Sequence, residues 1–324
     1  MEATATVSAS EAAETRPRLL FVDDEESILT TMRIMFRRQY DVLLAVNGEQ
    51  ALDLLRQHDV DVIVSDQRMP GMVGVEVLRE ARKIRPRAMR ILLTGYSDFS
   101  AILGSINDGE IYRFVHKPWS NADLQDMIGQ AVEAARKLSG DQVRLLSDSE
   151  TPAAANTGGG QPAILILDSD MIAVDELKRM LGADYHLHHA TSIAAGLDLL
   201  DKYPIGVLIV ETMIGTESVA TLLGLLKQHH PQVVSIVLTH RSDATVAIEL
   251  INQGQIFRFL IKPTREAMCK RSVQQAVQRH ESLKTNPVLT QRFKVQSAPT
   301  TQAAPQGMLD RIKNLRGRLG SWGT

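Results

Sequence analysis

The chain is one module written twice. Displaced by 145 residues, positions 19–118 overlie 164–263 without a gap, and 25 of those 100 pairs are identical. The identities gather in particular stretches: IYRFVHKP against IFRFLIKP, ILLTGYSD against IVLTHRSD, and LDLL against LDLL. Structural repeats that stack into solenoids or propellers recur about every 20–50 residues. A single recurrence at this much longer distance means two domains in tandem. The 324 residues have room for both.

Within each copy, apolar runs of strand length alternate with helical patterns. In the first copy the strands are RLLFVD, YDVLLAV, VDVIVS, MRILLT and IYRFVHK, with helices starting near Ser27, Asn47, Gly74, Ser97 and Ser120. Near-continuous Val, Ile and Leu suits strands covered on both faces, as in a parallel sheet. The sequence therefore predicts an α/β protein: two tandem, flavodoxin-like, doubly wound (βα)5 domains, each with a five-stranded parallel sheet. The expected boundaries are 1–16 disordered, 17–146 first domain, 147–162 linker (around TPAAANTGGG), 163–284 second domain, and 285–324 a basic, mostly disordered tail. Within that tail, 307–319 carries Met308, Leu309, Ile312, Leu315 and Leu319 at helical spacing among Arg and Lys residues. Three readings stand for this short amphipathic helix: a docking peptide, a membrane-surface contact, or a frayed end.

Composition narrows the class of protein. A 44% hydrophobic and 23% charged chain is that of a soluble globular protein. One cysteine, Cys269, cannot form an internal disulfide, which points to a reducing compartment and a cytoplasmic location. No apolar run reaches membrane-spanning length, and the first residues lack the basic and apolar regions of a signal peptide. The net charge of −2 conceals a polarity: residues 264–324 hold 11 Lys/Arg against 3 Asp/Glu, which leaves −10 for the rest. Such an end suits an acidic partner, nucleic acid or a membrane surface among them, or is simply a solvated basic face.

In doubly wound sheets, ligands sit beyond the carboxyl ends of the strands. Those ends carry Asp23 and Asp24 on the first strand, Asp66 on the third, Thr94 on the fourth, and Lys117 followed by Pro118 on the fifth. A lone acid at a strand end is most often a cap or turn residue. The joint occurrence on four different strands is not explained that way. Three carboxylates at one edge repel unless a cation joins them, and hard oxygen ligands with room for water favour magnesium (Mg2+). A carboxylate nucleophile, a metal, a lysine and a hydroxyl are the parts of a phosphoryl-transfer site.

The segments FVDDE, VIVSDQRMPGM, ILLTG and FVHKP resemble the signature segments of the receiver domain of bacterial two-component response regulators, across roughly 17–140. The resemblance implies that Asp66 accepts a phosphoryl group from a histidine kinase or phosphotransfer protein. It implies that Asp24 and Asp66 hold Mg2+ through their side chains, Asp23 mainly through water and Arg68 through its backbone carbonyl. Thr94 and Lys117 would contact the phosphoryl oxygens. Phe114 takes the position of the family's aromatic switch, or is a plain core residue. The face built from the fourth helix, fifth strand and fifth helix, with Trp119 on it, would dimerise or hold a downstream protein effector; Trp119 as a core residue is an equal reading. The stretch INDGEIYRFVHKPW is similar to receivers attached to cyclic-di-GMP phosphodiesterases and to hydrogenase-type regulators.

In the second copy the equivalents of Asp23, Asp24, Asp66, Thr94 and Lys117 are Asp168, Ser169, Glu211, Thr239 and Lys262. One metal ligand is lost, and the acceptor is longer by one carbon–carbon bond, about 1.5 Å. A misplacement of ~1 Å already costs ~100-fold in rate. The second copy thus resembles a degenerate pseudo-receiver, in which Glu211 reaches Lys262 and stands where a phosphoryl group would. At a partly exposed sheet edge, that pair is expected to contribute about 1 kcal/mol or less.

The sequence holds no GGDEF, EAL or HD-type motif and no P-loop, and residues 285–324 are too few and wrongly composed for a helix-turn-helix domain. The expectation is a response regulator that is not itself an enzyme and signals through protein–protein contacts. The rivals are a phosphate sink or relay intermediate, and a nucleic-acid or membrane binder acting through the basic C-terminal region.

Overall fold

The structure, a computed structural model, describes residues 16–95, 111–136, 162–240, 246, 248, 250–252, 256–285 and 306–315. The expected linker, the N-terminal segment, the helix expected from Ser97 and most of the C-terminal tail lie outside these residues. The first module runs β1 (Arg18–Val22), α1 (Glu26–Phe36), β2 (Asp41–Ala45), α2 (Gly48–Gln57), β3 (Val62–Asp66), α3 (Gly74–Ile84), β4 (Met89–Thr94), β5 (Arg113–His116) and α4 (Asn121–Arg136). The second runs β6 (Ala163–Leu167), α5 (Met171–Leu181), β7 (Leu187–Ala190), α6 (Ile193–Lys202), β8 (Ile205–Val210), β9 (Met213–Ile214), β10 (Glu217–Ser218), α7 (Ala220–His229), β11 (Val234–Thr239), β12 (Arg258–Ile261) and α8 (Glu266–Thr285). A last helix, α9, spans Gln306–Asn314.

Both large sheets are parallel and share one strand order, β2-β1-β3-β4-β5 in the first and β7-β6-β8-β11-β12 in the second. The central strands β3, β4, β8 and β11 are buried at every residue, as strands sandwiched between two helical layers must be. Alternate residues feed alternate layers. In the first module Leu19, Phe21, Val62, Val64 and Ile91 pack with α1 and α4, while Leu20, Val22, Ile63, Leu92 and Phe114 pack with α2 and α3. Helix starts repeat as well: Asn47 caps α2 through Gln50 N, and Ser192 caps α6 through Ala195 N. Trp119, for which an exposed face and a core position were equal readings, is half-buried and packs against the α1/α4 layer. Cys269 is buried, and burial pushes its thiol up to about 11, which makes it unreactive.

Two features depart from the simple duplication. The loop after β8 forms a two-stranded antiparallel hairpin, β9–β10, which turns at Gly215 with φ of 63°. The second is α9, expected over 307–319 and found over Gln306–Asn314, with Leu315 the last described residue. Its Ile312 and Leu315 are 0% and 3% exposed. The Ile312 carbonyl lies 2.7 Å from His230 Nε2, and Arg311 pairs with Asp198. The apolar face of α9 is therefore spent on α7 and its surroundings in the second module. Among the three sequence readings, this is docking within the chain. No helix among the described residues is long and apolar enough to cross a membrane.

Shortening Ile312 tests the docking. A buried Ile→Ala change costs about 2–5 kcal/mol, and Ile312 is the most deeply buried residue by which α9 is held. Ile312→Ala should expose 306–315 to limited proteolysis much faster than in wild type, with the thermal midpoint of the rest of the chain little changed.

Candidate functional site

Each module gathers its polar residues at the carboxyl ends of its strands. In the first, β1 delivers Asp23, β3 delivers Asp66, β4 delivers Thr94 and the turn after β5 delivers Lys117. Lys117 Nζ lies 2.5 Å from Asp66 Oδ1 and 3.4 Å from Asp23 Oδ2. The other Asp66 oxygen, Oδ2, accepts the Arg68 backbone N–H at 2.9 Å, and Asp23 Oδ1 accepts that of Glu25 at 2.9 Å. Asp66, Asp23 and Thr94 are buried at 5%, 2% and 1% exposure. Asp24 is exposed beside them.

The backbone around Asp66 is drawn in tightly. Gly74 N–H donates to the Gln67 carbonyl as α3 begins, and a Cβ on Gly74 would lie 2.1 Å from the Asp66 carbonyl oxygen. Only glycine lets α3 start this close to the acceptor strand.

Electrostatics set a demand for positive charge. Burial raises the Asp23 carboxyl above its ordinary range; the backbone bond and Lys117 oppose this, and the Asp66 charge adds to it. Burial works against the Lys117 ammonium too, but its bonds to Asp66 and Asp23 outweigh it and hold the lysine above its usual range. Among the described residues, no three Asp, Glu, His or Cys side chains form an all-protein metal cage. Mg2+ does not need one, since it is bound by one or two carboxylates and keeps several waters. A buried carboxylate pair of hard oxygens, with a third acid exposed alongside, fits that chemistry.

The second site is closed on itself. Lys262 Nζ lies 2.5 Å from Asp168 Oδ2 and 2.8 Å from Glu211 Oε2. Glu211 Oε1 accepts from Thr212 N at 2.8 Å and Thr212 Oγ1 at 3.0 Å, and the Thr212 and Thr239 hydroxyls are 3.2 Å apart. Burial acts to raise the Glu211 carboxyl, yet the bonds from Lys262, Thr239 and Thr212 bring it below its ordinary range. Lys262 is opposed by burial and raised overall by Asp168 and Glu211. Asp170, two residues past Asp168, is occupied as the N-cap of α5 through Ile172 and Ala173 N–H. Its other oxygen lies 3.4 Å from His240 Nε2.

One expectation needs correcting. The Lys262–Glu211 pair is not at an exposed edge: the side chains are 4% and 13% exposed. Breaking it costs more than breaking a surface pair, most of all at Lys262, whose loss leaves both Glu211 and Asp168 buried without their cation. The sequence reading also missed Asp168 as the nearer partner of Lys262 and Thr212 as a donor to Glu211. Thr212 replaces Gln67, and its hydroxyl was the available signal.

In each module an aspartate and a lysine meet at the strand ends of a doubly wound sheet, Asp66 with Lys117 and Asp168 with Lys262. The profile of the response regulator receiver domain matches residues 19–129 and 164–274, together more than half of the chain. The protein belongs to this family, and carries two receivers, the second degenerate. The hydrogenase transcriptional regulatory protein HoxA of Cupriavidus necator is 40% identical over 127 residues, 39% of this chain and 26% of that protein. The chain thus spans about a quarter of the length of that relative. Sporulation initiation phosphotransferase F of Bacillus subtilis is 30% identical over 112 residues, 34% of this chain and 90% of that one. Among solved structures, the signal receiver domain of an HD domain-containing protein from Pseudomonas fluorescens Pf-5 is 36% identical, covers 41% of this chain and 94% of its own, and has a TM-score of 0.37.

The second site predicts a pH signature. The Glu211 carboxyl lies below its ordinary 4.5, so its contribution to stability is present above 4.5 and lost as pH falls through the lower folded value. Lys262 lies above its ordinary 10.5, so its contribution is present below 10.5 and lost as pH rises through the folded value. Glu211→Gln should cost about 1.5–3 kcal/mol near neutrality, the range for a hydrogen bond to a charged group. It should also flatten the acid limb of the unfolding midpoint, measured by calorimetry between about pH 3 and about pH 6, a span that brackets the ordinary carboxylate range.

Proposed function

We propose that this protein is a phosphorelay response regulator whose acceptor is Asp66, phosphorylated by a histidine kinase or phosphotransfer protein in the cytoplasm. The observation that carries the reading is Lys117 Nζ bridging Asp66 and Asp23 at the strand ends of the family-matched first module. In the transfer, an Asp66 carboxylate oxygen forms a bond to phosphorus while the phosphorus–nitrogen bond of a phosphohistidine breaks, its electron pair returning to the imidazole. Lys117 already lies on one Asp66 oxygen, so it is placed to follow the charge onto the phosphoryl oxygens. Thr94, at the end of the neighbouring strand, would hold the phosphoryl group once formed. The Arg68 N–H fixes the other Asp66 oxygen and so the direction of attack. Asp23, Asp24 and Asp66, with the Arg68 carbonyl, would hold Mg2+, which neutralises the charge gathering on the phosphoryl oxygens. Phe114, three residues before Lys117, would report the change along β5. The second module, with its site filled by Glu211 and Lys262, takes no phosphoryl group. Output passes through protein–protein contacts.

The likeness to the sporulation phosphotransferase over 90% of that chain supports a second reading, a relay intermediate that passes its phosphoryl group on. The lifetime of the adduct separates the two: long for a switch, short and histidine-dependent for a relay.

Incubation with acetyl phosphate and Mg2+ should add one phosphoryl mass per chain. Asp66→Asn should abolish the adduct and Glu211→Gln should leave it. A second adduct, or one that survives Asp66→Asn, overturns the assignment.

A further inference from the structure

β5 is the last strand of its sheet, so one side of it carries backbone groups that no neighbouring strand can satisfy. Lys117 N–H donates to the Thr94 carbonyl. By alternation, Arg113 and Val115 face β4, and Phe114 turns its N–H and carbonyl outward. Both groups are taken by one side chain of the second module. Asn252 Oδ1 accepts the Phe114 N–H at 3.0 Å, and Asn252 Nδ2 donates to the Phe114 carbonyl at 2.7 Å. A carboxamide offers one acceptor and one donor side by side, and so satisfies a single edge residue as a further strand would. The buried apolar cluster that holds Phe114 and Leu92 continues into Ile248, Ile251 and Phe259 of the second module. Asn252 is also one of the identities of the duplication, 145 residues after Asn107.

The contact sits where a change at the acceptor site arrives first. β5 has four residues, and Phe114 is three before the lysine that holds Asp66. So short a strand cannot shift at Lys117 without moving Phe114 and the two bonds it makes to Asn252.

We propose that the outer edge of β5 is the docking surface by which the first module holds the second, and that a phosphoryl group on Asp66 is read by the second module through the Asn252–Phe114 contact. The readout half rests on Asp66 as acceptor; the docking half does not. On this reading the second module is the resident partner of the first. The β5 edge, expected from the sequence to serve a homodimer or an outside effector, is occupied at Phe114 from within the chain.

Hydrogen exchange on the full chain tests both halves. In wild type the Phe114 amide should be protected, and Asn252→Ala should raise its exchange at least ~10-fold, as for a hydrogen bond exchanged for solvent. Asn252→Asp keeps the shape and an acceptor but loses the donor, and should fall between the two. Beryllium fluoride with Mg2+, a phosphoryl mimic, should alter exchange over 256–262 in wild type and not in Asn252→Ala. Equal Phe114 protection in all three proteins overturns the docking surface. A second module that ignores beryllium fluoride in wild type, or responds equally in the variant, overturns the readout. Acetyl phosphate labelling of the same samples keeps the failures apart. If wild type takes no adduct, Asp66 is not the acceptor, while the Phe114 result still decides the docking.

Discussion

A lysine at the end of the last strand bridges two carboxylates at the end of each sheet, and the arrangement of both sites follows from that bridge. Lys117 spans Asp66 and Asp23; Lys262 spans Glu211 and Asp168. Two carboxylates that are almost fully buried repel each other across a medium that screens poorly. The ammonium between them offsets that repulsion at the ends of the first and third strands of each module. The bridge also fixes the lysine, whose own burial is unfavourable unless both partners stay charged.

The two modules differ in what the bridge leaves over. In the first, Lys117 is 28% exposed at its side chain, Asp24 is open to solvent, and burial raises the Asp23 carboxyl. The mouth of that site is open. In the second, the longer Glu211 fills the gap to Lys262, two threonine hydroxyls close behind it, and Asp170 is turned away to cap α5. One added methylene and one lost acid convert an open electrostatic site into a satisfied one.

Much of this was legible in the sequence, and for identifiable reasons. The β3 and β4 runs could be read because a strand buried on both faces must be apolar throughout, and the strand-end acids because a hydrophobic run stops abruptly at each. The Glu211–Lys262 contact could be read because it depends on side-chain length within one module. The burial of that pair could not, since Thr212, which donates to Glu211 from the next position in the chain, carries no distinctive pattern. Nor could the seat of α9: its apolar spacing is plain in the sequence, but which surface it covers depends on His230 and Asp198, far away along the chain. Asn252 was visible only as a repeated residue. Its partner is the backbone of Phe114, and a backbone group has no sequence signature.

Among the described residues, that last contact consists of two hydrogen bonds and a shared apolar cluster. Neutral hydrogen bonds contribute about 0.5–1.5 kcal/mol each, far short of the ~8 kcal/mol needed for a free partner to bind at micromolar strength. Within one chain the requirement is different. A tethered partner is present at an effective concentration on the order of mM, so a contact too weak to recruit a separate protein can remain formed. Weakness is then an advantage for signalling. A junction held by a few kcal/mol can be shifted by the small movement of a four-residue strand, whereas a large interface would resist it. Duplication supplies such a partner directly: a second copy that keeps the lysine bridge and the strand order of the first.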